Sequence, residues 1–207
     1  MRTLVVNCYR DKAEEKIKGY MAQAERFSDG FEVSWGVLEP AYDIETFSAV
    51  IFSGSQWLLS REEPPAPLAE FVRNLKLPAL GICFGHQLFA RSFGTPVLGG
   101  ELIEGNETVV ISEPGLLFHN MGPEMEFLES HREYVVAEPI ERAGWHITAR
   151  SSSCPVEAMH HPTRPLYGVQ FHPERSGVNG DQLFENFYNR IVIPFVKGTY
   201  SHPHGRM

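Results

Sequence analysis

Long apolar runs are missing from these 207 residues. No stretch approaches the ~20 consecutive apolar residues that cross a bilayer. Met1-Arg2-Thr3 leads straight into a strand-like segment, with no secretory leader pattern. The expectation is a cytoplasmic protein with no membrane contact. Cysteine is scarce. The three present (Cys8, Cys83, Cys154) are odd in number and lack paired spacing, so a reducing compartment is expected rather than a disulfide framework. Positive charge is short as well: 18 Lys and Arg face 26 Asp and Glu, a net charge of −8. That balance excludes nucleic-acid binding driven by electrostatics. Internal repeats, low-complexity tracts and interdomain linkers are lacking. So is a GxxxxGK[ST] phosphate loop, so any ATP-driven step is expected on another chain.

What is present is ordinary for a globular protein: 43% hydrophobic and 21% charged residues. The length suits one substantial core. One domain over residues 1–197 is expected, followed by a mobile tail over 198–207. His202 and His204 lie on that tail and are read as solvated rather than metal-binding.

Thr3–Cys8 is a β-branched apolar run and reads as a buried strand. Residues 11–27 read as a helix, with Ala13, Ile17, Tyr20, Met21 and Ala24 on one face. Phe31–Val37 alternates as a strand does, and Ala49–Gly54 is a second apolar run. Pro64, Pro65 and Pro67 mark a loop and the start of a short helix over Leu68–Leu75. Ala79–Cys83 is the next strand. After Gly94 the texture changes to short strand-like pieces at 108–111, 133–136, 145–149, 156–159 and 167–171. A final helix covers Asp181–Val192. The pattern predicts an α/β fold: a mostly parallel central sheet, helices on both faces and a small antiparallel extension. Ligands bind beyond the carboxyl ends of the strands in such sheets, where Gly54 and Cys83 both fall.

The chemistry centres on residues 81–87, GICFGHQ. An apolar strand runs into Cys83 and a helix leaves it, with Gly81 and Gly85 two residues away on either side. This is the strand–turn–helix pattern of a nucleophile elbow, with sulfur as the nucleophile. The turn crowds its flanks, so glycine is needed there. The thiol falls at a helix N-terminus, which favours a thiolate. The backbone N–H of Phe84 is placed to face an oxyanion.

A second stretch, residues 168–174, reads GVQFHPE. An apolar strand delivers His172, and Glu174 follows two residues later. In an extended chain both point to the same side, so Glu174 can orient the His172 ring. His172 would then move protons for Cys83.

Together GICFGHQ and the downstream GVQFHPE resemble the class I (triad-type) glutamine amidotransferases, over nearly the whole chain. The resemblance implies a flavodoxin-like amidotransferase fold. It implies hydrolysis of the glutamine side-chain amide by a triad of Cys83, His172 and Glu174, with glutamine as substrate and ammonia passed to a separate synthetase. No metal or organic cofactor is implied. Gln87 matches a position that contacts substrate glutamine. Ser53-Gly54-Ser55-Gln56 matches the family's oxyanion strand, usually Gly-Gly-Pro or Asn-Gly-Pro, which gives Gly54 a substrate contact and Ser55 the second oxyanion N–H. Here Ser55 replaces the last glycine and Gln56 the proline. A backbone N–H is all the hole requires, but the orientation of this peptide is left open. Glu129–Glu133 (ESHRE) and Ser153–Met159 (SCPVEAM) resemble the GMP synthase glutaminase, where Ser130 and His131 would help clamp glutamine. Arg175-Ser176-Gly177 is closer to the imidazole glycerol phosphate synthase glutaminase, and GICFGHQ also occurs in γ-glutamyl peptidases. A standalone γ-glutamyl hydrolase and a non-catalytic regulatory protein with the same fold stay open as alternatives.

Overall fold

A computed structural model describes residues 1–39 and 42–203. Strand β1 (Arg2–Asn7) is followed by two short helices, α1 (Ala13–Lys16) and α2 (Lys18–Glu25), and by β2 (Asp29–Ser34). Next come β3 (Ala49–Phe52), α3 (Ala66–Asn74), β4 (Ala79–Ile82) and α4 (Phe84–Ser92). Then follow β5 (Val97–Ile111), β6 (Glu124–Val135), α5 (Ala137–Arg142), β7 (His146–Arg150), β8 (Ala158–His160) and β9 (Leu166–Val169). The described chain closes with α6 (Gly177–Asn186), a π-helical stretch over Phe187–Val192 and α7 (Ile193–Val196).

The nine strands of the described residues join one sheet in the order β2-β1-β3-β4-β9-β8-β7-β5-β6. From β2 to β9 the pairs are parallel. From β9 to β6 they are antiparallel. Because successive strand side chains face opposite sides, β1 sends Leu4 and Val6 into one core and Val5 into the other. The first core is roofed by Leu68, Phe71 and Val72 of α3 and by Leu88 and Phe89 of α4. The second is roofed by Ile17, Tyr20, Ala24, Leu183, Phe184 and Phe187. Cys83 follows β4 and His172 follows β9, and these strands are neighbours. The topology therefore brings together two residues that are far apart in the chain.

Several boundaries differ from the sequence reading. The helix read over 11–27 is interrupted at Ile17, whose ψ of −18° is near a 3₁₀ turn. The strand read to Val37 stops at Ser34. Trp35–Val37 turns instead, and the Trp35 ring lies 5.1 Å from that of Trp57. β5 and β6 begin well before the fragments at 108–111 and 133–136, so the antiparallel part is larger than the small extension expected. Only the ends of these strands carry the apolar alternation by which they were read. Of the segment read as a tail, residues 198–203 are described, and the Tyr200 hydroxyl meets that of Tyr167 at 3.0 Å. His204 lies outside the described residues.

Candidate active site

Cys83 sits between β4 and α4 with φ 52° and ψ −101°. This is a strained conformation for a residue with a Cβ. It is held by a Cys83 N–H bond to Val169 O (2.8 Å) and a Gln87 N–H bond to Cys83 O (3.1 Å). A Cβ on Gly81 would lie 2.6 Å from the Gly85 carbonyl, and one on Gly85 would lie 2.6 Å from Phe52 O. Both glycines are thus required by close backbone approach. Cys83 is 5% exposed. Phe84 is the first residue of α4, so its N–H has no partner inside the helix.

His172 is buried, and its Nδ1–H donates to Glu174 Oε1 at 2.7 Å. The pair was read as extended chain. In the structure, Pro173–Arg175 is a 3₁₀ turn that folds the carboxylate back onto the ring. Pro173 fixes the first φ of this turn. Two further bonds set its position. The His172 N–H reaches Leu128 O of β6 at 2.8 Å, and the Ser176 hydroxyl donates to His172 O at 2.7 Å. Burial alone would lower the His172 pKa. The Glu174 carboxylate and the Cys83 sulfur outweigh burial and raise it well above the ordinary value. With Nδ1 committed to Glu174, the other ring nitrogen is the one free to exchange a proton with Cys83.

The Ser55 hydroxyl donates to Cys8 O (2.8 Å) and accepts from the Trp57 N–H (3.1 Å). Its side chain therefore pins the loop after β3, and Ser55 lines the catalytic cavity. The Trp57 ring stacks on Phe84 at 5.6 Å and ties this loop to the elbow. Gly54 precedes Ser55 on this loop. Its N–H donates to the Tyr20 hydroxyl (3.0 Å), and it is absent from the cavity wall. It serves close packing, since a Cβ there would stand 2.9 Å from the Tyr9 hydroxyl and 3.1 Å from the His172 ring.

Cys83, His172 and Glu174 open on a cavity of about 670 Å³ whose wall also includes Gln87, Ser130 and His131. Gln87 Nε2 donates to Glu133 O (2.9 Å) and to Gln170 Oε1 (3.0 Å). Ser130 presents its carbonyl, 4.0 Å from Cys83 Sγ. His131 is not on a loop: it faces inward from β6 and is 7% exposed. Lys16, Arg132, Arg175, Glu15 and Glu133 bring charges of both signs to the same cavity.

The family model for "Glutamine amidotransferase class-I" matches residues 13–191. This chain belongs to the class I glutamine amidotransferases. It is 40% identical over 123 residues to a glutamine-hydrolyzing GMP synthase subunit of Methanothermobacter thermautotrophicus, covering 58% of this chain and 64% of that protein. It is 34% identical over 153 residues to the protein of the same name from Sulfolobus acidocaldarius, covering 70% and 77%. Across the first three such relatives the chain spans 64%, 60% and 62% of their length. Among solved structures it is similar to a Thermoplasma acidophilum protein described as a candidate GMP synthase subunit, with TM-score 0.83, 22% identity and coverage of 95% and 96%. It is also similar to a Thermotoga maritima glutamine amidotransferase, with TM-score 0.67, 18% identity and coverage of 96% and 85%.

Around Cys83, His172 and Glu174 this class I amidotransferase carries groups that motif reading missed. The Tyr20 hydroxyl lies 3.4 Å from His172 Nδ1 and 3.2 Å from the Tyr9 hydroxyl, and it also receives the Gly54 N–H. Gln170 Nε2 points at Cys83 Sγ (3.6 Å). The Glu133 carboxylate accepts the N–H groups of Leu59 (2.8 Å) and Ser60 (2.9 Å), holding the loop beyond Ser55. Glu129 and Glu157 are fully buried side by side. Burial first, and for Glu129 the neighbouring Glu157 charge, raise both carboxyls above their usual range. Gln170 stood inside the motif already quoted. Tyr20 gave no signal beyond its place on the buried face of its helix.

Proposed function

We propose that this chain is the glutaminase of a two-chain GMP synthase. Cys83 gives its thiol proton to His172 and attacks the side-chain amide carbon of glutamine, and the carbonyl electrons move onto oxygen. The N–H groups of Phe84 and Ser55 hold that oxyanion. As the tetrahedral intermediate collapses, the C–N bond breaks and His172 gives its proton to the nitrogen, which leaves as ammonia. A γ-glutamyl thioester remains on Cys83. Water attacks it with His172 as the base, glutamate leaves and the thiol is restored. Glu174 keeps the ring oriented and stabilises its charged form. Gln87, the main chain of Ser130 and His131, and the backbone around Gly54 are the proposed substrate contacts. A separate synthetase takes the ammonia. The chemistry needs a free thiol, which fits a reducing cytoplasm and the three free cysteines.

The observation that carries this reading is the convergence of the strained Cys83 with the buried His172–Glu174 pair on one cavity. The test is glutamine hydrolysis by the purified chain, alone and titrated with a GMP synthetase chain together with its substrates. Mass spectrometry after treatment with an electrophilic glutamine analogue locates the modified thiol. Labelling of Cys83 and stimulation by the synthetase are expected. Full activity that no partner changes would favour a standalone γ-glutamyl hydrolase. Inactivity under all conditions would favour a non-catalytic regulatory protein.

A further inference from the structure

Behind the cavity wall, β6 turns Glu129 and His131 inward, and the loop after β7 brings Cys154 and Glu157 to meet them. These four residues are 0%, 7%, 1% and 0% exposed, respectively. A His131 nitrogen, the Cys154 sulfur and a Glu157 oxygen all lie within 4.8 Å of one another. Oxygens of Glu107, Glu129 and Glu157 do the same. Glu129 Oε2 stands 3.4 Å from His131 Nε2.

The bonds these groups already make decide what is left over. His131 Nδ1–H donates to the Glu133 carbonyl at 2.9 Å, so the neutral ring holds its lone pair on Nε2. That lone pair faces a Glu129 oxygen, and the proton that burial keeps on the Glu129–Glu157 pair can satisfy only one of these contacts. Ser151 donates to Glu157 Oε1 at 2.7 Å. Glu157 Oε2, both Glu129 oxygens and His131 Nε2 have no hydrogen-bond partner among the described residues. Buried acceptors left in this state are costly. One proton can bridge only two of these atoms, whereas a divalent cation can bind them all.

We propose that His131, Cys154, Glu129 and Glu157 form an enclosed site for one divalent transition-metal ion of the zinc type. A nitrogen, a thiol sulfur and two carboxylates are borderline-soft donors that suit zinc rather than calcium or magnesium. Tetrahedral zinc sets its donor atoms roughly 3.3–3.8 Å apart, so within the His131–Cys154–Glu157 group the donor atoms close by about an ångström or less. Binding releases to solvent the Cys154 proton and the proton held by the Glu129–Glu157 pair. The Glu133 carbonyl on His131 and the Ser151 hydroxyl on Glu157 orient two ligands from outside, as such partners do in metal sites. Glu107 is held by the hydroxyls of Ser152 and Ser153 and adds charge from the edge. The ion would fasten the 151–157 loop to the strand that bears Ser130 and His131. The proposal does not depend on the glutaminase reading.

The test uses the full chain with Cys83→Ser, because the catalytic thiol and its histidine could themselves chelate a metal. The protein is dialysed against zinc and passed through a desalting column, and retained metal is measured by mass spectrometry. Cobalt replaces zinc in a parallel sample. One retained equivalent of zinc and a thiolate-to-cobalt charge-transfer band are expected. Both should be lost with Cys154→Ser added, and zinc should also be lost with Glu157→Gln. Circular dichroism confirms that each variant is folded. Failure of the folded Cys83→Ser protein to retain zinc overturns the proposal, whatever the further variants do. So does retention that neither added substitution reduces.

Discussion

Glu174 grips His172 from within a single turn, Oε1 lying 2.7 Å from Nδ1 although only Pro173 separates the two residues. A long-range contact would lose its geometry whenever distant elements shift. This one is locked by the 3₁₀ turn itself. The role assigned to each residue can be measured separately. His172→Ala should lower glutamine turnover by about 10⁴-fold, because the proton carrier is gone. Glu174→Ala should lower it by roughly 10²-fold, since only orientation and charge stabilisation are lost. Steady-state ammonia release checks both. A Glu174→Ala enzyme as fast as the parent would mean that His172 has another orienting partner, and the Tyr20 hydroxyl would be the first to examine.

The same pair predicts how stability depends on pH. The folded protein raises the His172 pKa well above the ordinary ~6.5. A raised folded pKa contributes stability that is fully present below the unfolded value and lost as pH rises through the folded one. Glu174→Gln removes the main charge that opposes burial. The variant should therefore be less stable than the parent by about 1.5–3 kcal/mol near pH 6, the range for a hydrogen bond to a charged group. The gap should narrow toward alkaline pH. Urea melts at several pH values measure it, and a gap that widens with pH would show that His172 is neutral in the folded protein.

Gly180 lies outside both sequence motifs, yet it bears on the catalytic turn. A Cβ there would lie 1.8 Å from Pro173 O, and the clash is with backbone. Gly180→Ala must push α6 away from the turn that carries His172 and Glu174. The expected cost is ~1–3 kcal/mol, typical of overpacking, together with a fall in kcat. Gly36→Ala serves as the comparison, since its Cβ meets nothing closer than the Ser34 hydroxyl at 4.0 Å. Thermal melts and kinetics on the two variants should separate clearly. Equal behaviour would show that α6 and the turn move independently.

Ser55 provides a test of the oxyanion loop. Its hydroxyl makes two hydrogen bonds that hold the loop where it is. Ser55→Gly removes both and restores the conformational freedom usual in the family at this position. If the pinned loop limits the isolated chain, basal glutamine hydrolysis should rise and stimulation by the synthetase should fall. A lower basal rate would instead show that the hydroxyl holds the N–H in its productive aim. That result would place any partner effect elsewhere.

The antiparallel half shows where sequence reading loses its grip. In β6 the inward positions are Phe127, Glu129, His131, Glu133 and Val135. The period is two, as in any strand, but three of its five inward residues are polar. An apolar-periodicity reading therefore catches only the end and treats the centre as loop. Those polar residues are buried because each has a neighbour to meet: the 59–60 loop for Glu133, Glu157 for Glu129, and for His131 the Glu133 carbonyl and Glu129 of its own strand. The partners of Glu133 and Glu129 lie far off in the chain, so their pairing could not be read along it.

The sequence by itself determined the local chemistry. Glycines at 81 and 85 fit the elbow because backbone atoms approach within 2.6 Å of their missing side chains, and His-Pro-Glu places a carboxylate on a histidine through one rigid turn. The approach of Gly81 to Gly85 and the His-Pro-Glu turn are short-range sterics that a linear pattern records directly, whereas Gly85 is crowded by Phe52 of the distant β3. The tertiary structure alone decided which distant groups share a site. Sheet order sets β9 beside β4, and so His172 beside Cys83. Packing of α2 puts Tyr20 against the same ring. β6 and the 151–157 loop bring four buried ligand-type side chains together. Such contacts depend on strand order and on how helices cover the sheet, which follow from burying two apolar faces at once rather than from any local run of residues.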